Sequence, residues 1–222
     1  MRQWWQRLSR RRKMTFSVLA GFAVLIVIGG VVVTRVAAPP SSPPEFAGPH
    51  PDLAAEGYVS HTETIFIGVP RDEFYAWVND PQRDLSDLVE GTDDLPAIKD
   101  TENLRGNWDP NTDRAGHRRR VEFETGHYVA EEVLVDSKET FRYMIWGFTN
   151  LPQRLAISHA VAEFTYEVVD DGTQLTWTYS FQPTAGLVRP FLSNFVDGTM
   201  SGMMQATLAA WKDRAEADLQ RA

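Results

Sequence analysis

A chain of 222 residues is long enough for one sizeable domain with appendages. Its lack of cysteine excludes a disulfide framework, a thiolate nucleophile and cysteine-ligated zinc. The formal net charge of −8 hides an asymmetry: residues 1–36 carry seven basic side chains and no acidic one, leaving 15 basic against 30 acidic groups in the remainder. A domain this acidic is a poor match for a phosphate backbone, so no nucleic-acid partner is expected.

Residues 1–13 read as a basic cytoplasmic tail. Met14 to Thr34 contains no charged residue and is rich in Val, Ile, Leu, Ala, Phe and Gly. As a helix this run would span about 31 Å, the thickness of a bilayer's hydrocarbon core. Residues 14–36 are therefore expected to form a transmembrane anchor. A cleavable signal peptide is the rival reading, because Val36-Ala37-Ala38 loosely resembles a cleavage site; the length of the apolar run and Pro39 stand against it. Basic residues cluster before the span, which places the N-terminus in the cytoplasm and the large domain outside, as a single-pass membrane protein. Residues 37–56, with six prolines, read as an extended spacer, and residues 57–222 as the folded domain.

From Gly57 the pattern is that of strands. Tyr58 to Gly68 alternates like an edge strand. Val69-Pro70-Arg71-Asp72 opens a short helix carrying Phe74, Trp77 and Val78, ended by Asn79-Asp80-Pro81; Gln82 to Pro96 reads as a second short helix and loop. Six further strands are expected near residues 97–104, 116–124, 127–135, 140–148, 156–168 and 173–183, separated by turn signals such as Asp170-Asp171-Gly172. In the last of them Leu175, Trp177, Tyr179 and Phe181 share a face. With no buried crossover helices between them, these strands predict an antiparallel meander.

Gly186 to about Leu219 predicts one long helix covering that sheet. Met200, Met204, Leu208, Trp211 and Ala215 lie on one stripe, and Leu192, Val196 and Met203 on an adjoining one. Gly198 and Gly202 each cost roughly 1 kcal/mol in a helix interior. Two reasons for tolerating them are tight packing on the sheet, or a thin helix beside a cavity lined by adaptable methionines.

The order strand, two short helices, six strands and one long helix resembles the helix-grip fold of the START-like or SRPBCC superfamily. The wording is most similar to its polyketide cyclase/dehydrase branch. The matching stretches are Val69-Pro70, Asn79-Asp80-Pro81, Gly106-Asn107-Trp108, Gly116 before the basic strand, Gly126 with Glu131 five residues on, Phe141-Arg142-Tyr143 and Asp171-Gly172-Thr173. The resemblance implies an α+β fold in which a curved antiparallel sheet of about seven strands grips the C-terminal helix. It also implies a cavity between sheet and helix that takes a hydrophobic small molecule or lipid.

Hydrolase, zinc-protease and phosphate-loop motifs are missing, and neither a cofactor nor a metal is expected. The five histidines are scattered. Arg118, Arg119 and Arg120 alternate, so Arg119 points one way and its neighbours the other; the run reads as a solvated strand face. Arg119, Glu131 and Tyr143 fall on three consecutive strands, each in phase with apolar neighbours. On the concave face they would place a guanidinium, a carboxylate and a phenol at the cavity wall. Trp177, Tyr179, Phe195, Gly202 and Met203 complete the candidate ligand-binding set. Three functions compete: a membrane-tethered extracytoplasmic domain binding a hydrophobic molecule or lipid, a cyclase- or dehydratase-like enzyme using Glu131 and Tyr143, and a protein-interaction module whose cavity is filled by aromatics.

Overall fold

The computed structural model describes residues 40–219 apart from 52, 53, 55, 90, 93 and 94. The basic tail and the expected anchor at residues 14–36 lie outside the described residues. Among the described residues no helix is long and apolar enough to cross a membrane.

Seven strands form one antiparallel sheet: β1 (Val59–Ile67), β2 (Ile98–Arg105), β3 (Arg118–Phe123), β4 (Tyr128–Asp136), β5 (Thr140–Trp146), β6 (Ile157–Val169) and β7 (Gly172–Pro183). The spatial order is β1-β7-β6-β5-β4-β3-β2, so β2 to β7 run as a meander and β1 closes the far edge against β7. The chain crosses from one edge to the other through α1 (Arg71–Val78) and α2 (Leu85–Leu88). Register shifts at Val133/Val135 and along β2–β3 interrupt the ladder, and such bulges increase the bend and twist of a sheet. The exposed edge strand β2 carries Lys99, Asp100, Glu102 and Arg105, charges that discourage pairing with another chain.

The C-terminal segment covers the concave face, but not as one regular helix. A 3₁₀ turn (Gly186–Val188) leads into α4 (Arg189–Asn194), a six-residue π segment (Phe195–Met200) and α5 (Ser201–Leu219). Pro190 sits in the first turn of α4, where its missing N–H is harmless. The π segment changes the pitch without undoing the stripes: Leu192, Val196, Met200, Met203, Met204, Leu208, Trp211 and Ala215 are all buried. Hydrogen bonds from Trp211 Nε1 to Leu88 O (2.5 Å) and from Trp77 Nε1 to Asp218 Oδ2 (2.8 Å) fix α5 against α2 and α1. A short helix between β5 and β6, α3 (Leu151–Ala156), has Pro152 in its first turn and was not expected.

The proline-rich segment is where the expected boundary moves. The compact unit begins at Pro40, because residues 40–51 lie across the convex face instead of extending as a spacer. Tyr128 Oη donates to Pro40 O (2.8 Å), Trp146 Nε1 donates to Pro44 O (2.8 Å), and Arg118 pairs with Glu45 (2.8 Å). Phe46 packs edge-on against Trp146 and His159. The cause is the outward phase of β4 and β5: Ala130, Met144 and Trp146 form a small second core that needs a cover, and an extended proline-rich strap supplies one at little conformational cost.

Candidate functional site

The inward phase of the sheet is the one the alternation implies. Val121, Val129, Tyr143, Ile145, Phe164, Leu175, Trp177 and Phe181 are buried on the concave face with the stripes of the C-terminal segment. Between them lies a partly closed chamber of about 130 Å³. Val121, Val129, Ile145, Tyr143, Trp177 and Tyr179 line it from the sheet, while Phe195, Met200 and Met203 line it from the helix side. Leu85 on α2, with Val89 and Leu95 on the connection from α2 to β2, closes one flank. Beside it lies a more polar vestibule of about 480 Å³, which includes Asn79, Asn103, Asn107, Trp108, Arg114 and Arg119 in its wall. Leu85, Val89, Tyr143 and Trp177 border both spaces.

Arg119, Glu131 and Tyr143 meet at that division. Arg119 and Glu131 are direct cross-strand partners, and Arg119 Nε donates to Glu131 Oε2 at 2.7 Å with the side chains 14 % and 8 % exposed. The face of Trp108 covers the guanidinium at 3.7 Å, a cation–π contact that adds to the ion pair. Tyr143 and Tyr179 flank Ala162 in one row across the sheet, and burial, helped by the charge of Glu131, pushes both hydroxyls above the ordinary phenol range. They remain neutral at physiological pH, so they donate hydrogen bonds and cannot serve as phenolate bases. Trp177 Nε1 is buried with no hydrogen-bond partner among the described residues. A buried indole N–H left unpaired costs about 1–3 kcal/mol.

The other candidates divide. Phe195 and Met203 are in the chamber wall. Gly202 is not: it is exposed, and a Cβ added there meets nothing within 4 Å. Neither tight packing nor cavity lining explains it, because it lies on the helix face opposite Met200, Met204 and Leu208. Gly198 is likewise exposed and open. The arginine run is not a solvated face either. Arg118 joins Arg105 in binding buried Glu132 on the convex side, and Arg120 pairs with Glu122. The histidines stay apart; His61 contacts Glu63 and His159 contacts Tyr58 Oη. Among the described residues no group of three acidic, histidine or cysteine side chains could hold a metal ion.

Sequence reasoning missed Trp108, Phe148, Gln153 and the segment Leu85–Ile98 as parts of the site. Trp108 carried a signal only through the Gly106-Asn107-Trp108 wording, and its backbone at φ 51° is a conformation that bulky residues seldom adopt. The loop holds that conformation where Trp108 shields Arg119.

Several solved structures share this fold. The di-domain ARO/CYC StfQ from the steffimycin biosynthetic pathway superposes with a TM-score of 0.54 at 10 % identity, over 73 % of this chain and 52 % of that one. A Thalictrum flavum norcoclaurine synthase point mutant, in complex with a transition-state analogue, gives 0.52 at 14 % identity over 72 % and 97 % of the two chains. A protein of Thermus thermophilus gives 0.51 at 13 % identity over 72 % and 98 %. Identities this low bear on the fold alone. A search of curated protein sequences finds no match. The family model described as polyketide cyclase / dehydrase and lipid transport matches residues 58–216, nearly all of the folded unit, and the chain belongs to that family.

Proposed function

We propose that this protein is a membrane-tethered, extracytoplasmic domain that binds a hydrophobic small molecule or lipid between its sheet and its C-terminal helix. The observation that carries the binding reading is the chamber itself, apolar on most sides, with the phenols of Tyr143 and Tyr179 at its wall. Such a wall favours a guest with an apolar body and at least one acceptor oxygen. Glu131 already occupies Arg119, so a guest bearing its own carboxylate would meet a like charge instead of a free guanidinium. The chamber as it stands matches in size a cavity of roughly 150 Å³ that admits benzene. A larger guest therefore enters by extending into the vestibule past Leu85 and Val89. Native mass spectrometry of the purified full chain, with extraction of bound apolar compounds, tests this; the expected result is a co-purifying neutral molecule.

The tether rests on the uncharged run Met14–Thr34 and the basic residues before it. A reporter active only outside the cytoplasm should work when fused after Ala222, and activity of a cytoplasm-only reporter there would reverse the orientation. A mature N-terminus at Pro39 would instead identify a cleaved signal.

A second reading, a cyclase- or dehydratase-like enzyme, is supported by Glu131 and Tyr143 standing on one chamber wall. The neutral phenol would protonate a leaving oxygen and the carboxylate would take up a proton. Glu131→Gln and Tyr143→Phe should then abolish turnover while leaving guest binding in place; loss of binding alone would favour the non-catalytic reading. A third reading, the interaction module, draws on the rings of Phe164, Trp177 and Trp211 stacked in the centre of the core, and a wild type that carries and takes up no apolar molecule would favour it.

A further inference from the structure

One end of the domain is unlike the rest of its surface. Leu155 on α3, Leu187 in the 3₁₀ turn and Phe191 on α4 are 64 %, 95 % and 55 % exposed. They belong to one neighbourhood: Thr184 donates through its N–H to Ala156 O and through its hydroxyl to Leu155 O, and α3 contacts α4. The two stretches that build this end, residues 147–158 and 182–196, contain Arg154 and Arg189 and no Asp or Glu, with Glu56 and Asp197 flanking it. In a chain with 30 acidic residues, a basic, apolar tip is a local inversion of the surface chemistry. Arg189 is held in place by donating to the carbonyls of Gly57 and Tyr58.

The point at which the chain enters the folded unit lies at this same end. Pro40 lines a groove together with Arg154 and Thr184. Only residues 37–39 separate Pro40 from the apolar segment at 14–36, and three residues reach at most about 11 Å. A domain of this length has a radius of gyration of about 16 Å, so such a link is too short to let the far end of the sheet approach the membrane as readily as this one. The chamber also reaches this end, since Phe148, Gln153 and Phe195 are in its wall.

We infer that the tip formed by Leu155, Leu187 and Phe191 docks on the surface of a lipid bilayer. Its three apolar side chains enter the headgroup boundary, and Arg154 and Arg189 lie at the level of anionic lipid phosphates. The inference rests on the tether reading for its geometry, and on exposure and charge for its chemistry. It also gives the chamber a route for an apolar guest that begins at the membrane and not in water.

The chain has no cysteine, so single labels are unambiguous. Leu187→Cys and Val168→Cys carry an environment-sensitive nitrobenzoxadiazole label on the full chain, reconstituted in vesicles of phosphatidylcholine and phosphatidylglycerol that contain a brominated-lipid quencher. Val168 is an equally apolar control, 64 % exposed, and lies eleven residues along β6 from Ile157, about 36 Å away. The Leu187 label should emit to the blue and be quenched at least threefold more than the Val168 label, and Leu155→Ser with Phe191→Ser should remove most of that difference. Equal, water-like emission from both labels overturns the docking. Alkaline carbonate extraction separates the two readings. A chain that is extracted, yet whose Leu187 label is still quenched on added vesicles, docks without a tether. A chain that resists extraction with an unquenched Leu187 label is tethered and does not dock.

Discussion

Replacing Arg119 with Met tests the logic of the chamber wall. The change keeps an unbranched apolar stem under Trp108 and removes the charge that holds Glu131. Glu131, 8 % exposed, would then be an ionised carboxylate with no partner at 2.7 Å. Breaking one side of a buried pair typically costs about 3–5 kcal/mol, but a carboxyl can escape by taking up a proton. An ordinary glutamyl carboxyl titrates near 4.3, so holding one neutral costs about 3.7 kcal/mol at pH 7 and about 1 kcal/mol at pH 5. Protonation therefore sets the ceiling, and the loss should be about 3 kcal/mol at pH 7. For a domain of this size that lowers Tm by roughly 6–12 °C. The sign follows from linkage: the variant's folded state binds a proton that its unfolded state has released, so the variant loses stability relative to wild type as pH rises from 5 to 7. Arg119→Met with Glu131→Leu should regain most of the loss, because two apolar groups replace the pair. Thermal melts of wild type, single and double variants at pH 5 and 7 decide it. A single variant whose deficit does not change with pH, or a double variant no better than the single, would show that the ion pair does not hold Glu131 in the wall.

Three further outcomes follow from the same geometry. Gly202→Ala should raise stability by about 0.8–1 kcal/mol, read as a Tm increase of roughly 2–4 °C, since the added methyl meets nothing within 4 Å. Asp136→Ala should cost about 3–5 kcal/mol by denaturant melts, because Arg114, itself buried, loses a bidentate partner with both bonds at 2.8 Å. Burial raises the Asp136 carboxyl, but the hydrogen bonds and charge of Arg114 outweigh it and leave it below the ordinary range. That contribution is present above the unfolded value near 3.9 and is lost as pH falls through the lower folded value, so the variant's deficit should shrink only below about pH 4. Phe46→Ala should cost about 1–2 kcal/mol, less than the 3–5 of a fully buried ring, and a chain beginning at Glu56 should bind more of a surface hydrophobic dye than one beginning at Pro40.

The sequence was most legible where one periodicity answers to one environment. Along β7, Leu175, Trp177, Tyr179 and Phe181 alternate against Thr176, Thr178 and Ser180, and the register across β3 and β4 brings Arg119 opposite Glu131 as the phases require. Legibility ended where a residue's neighbour comes from a distant segment. The prolines of residues 40–51 declare an extended conformation but not the face they cover; the available clue was the apolar outward phase of Ala130, Met144 and Trp146. A glycine in a helix reports a missing side chain without saying whether a neighbour or solvent takes its place, and for Gly202 it was solvent. The π segment has no local signature beyond Gly198. The Leu85–Ile98 flank of the chamber is built from side chains whose weak periodicity carries no facing information at all.

The binding claim is tested most directly by titrating a small neutral aromatic carrying one acceptor oxygen, such as benzaldehyde, into the purified full chain by calorimetry. Wild type should be compared with Met203→Trp at matched thermal stability. Met203 lies in the wall of a chamber of only about 130 Å³, so the larger indole should fill the space that the guest would take, with any overpacking cost limited to about 1–3 kcal/mol. Wild type should give saturable, one-site heat and Met203→Trp none. Equal binding by the two proteins, or no binding by either, would contradict the binding claim.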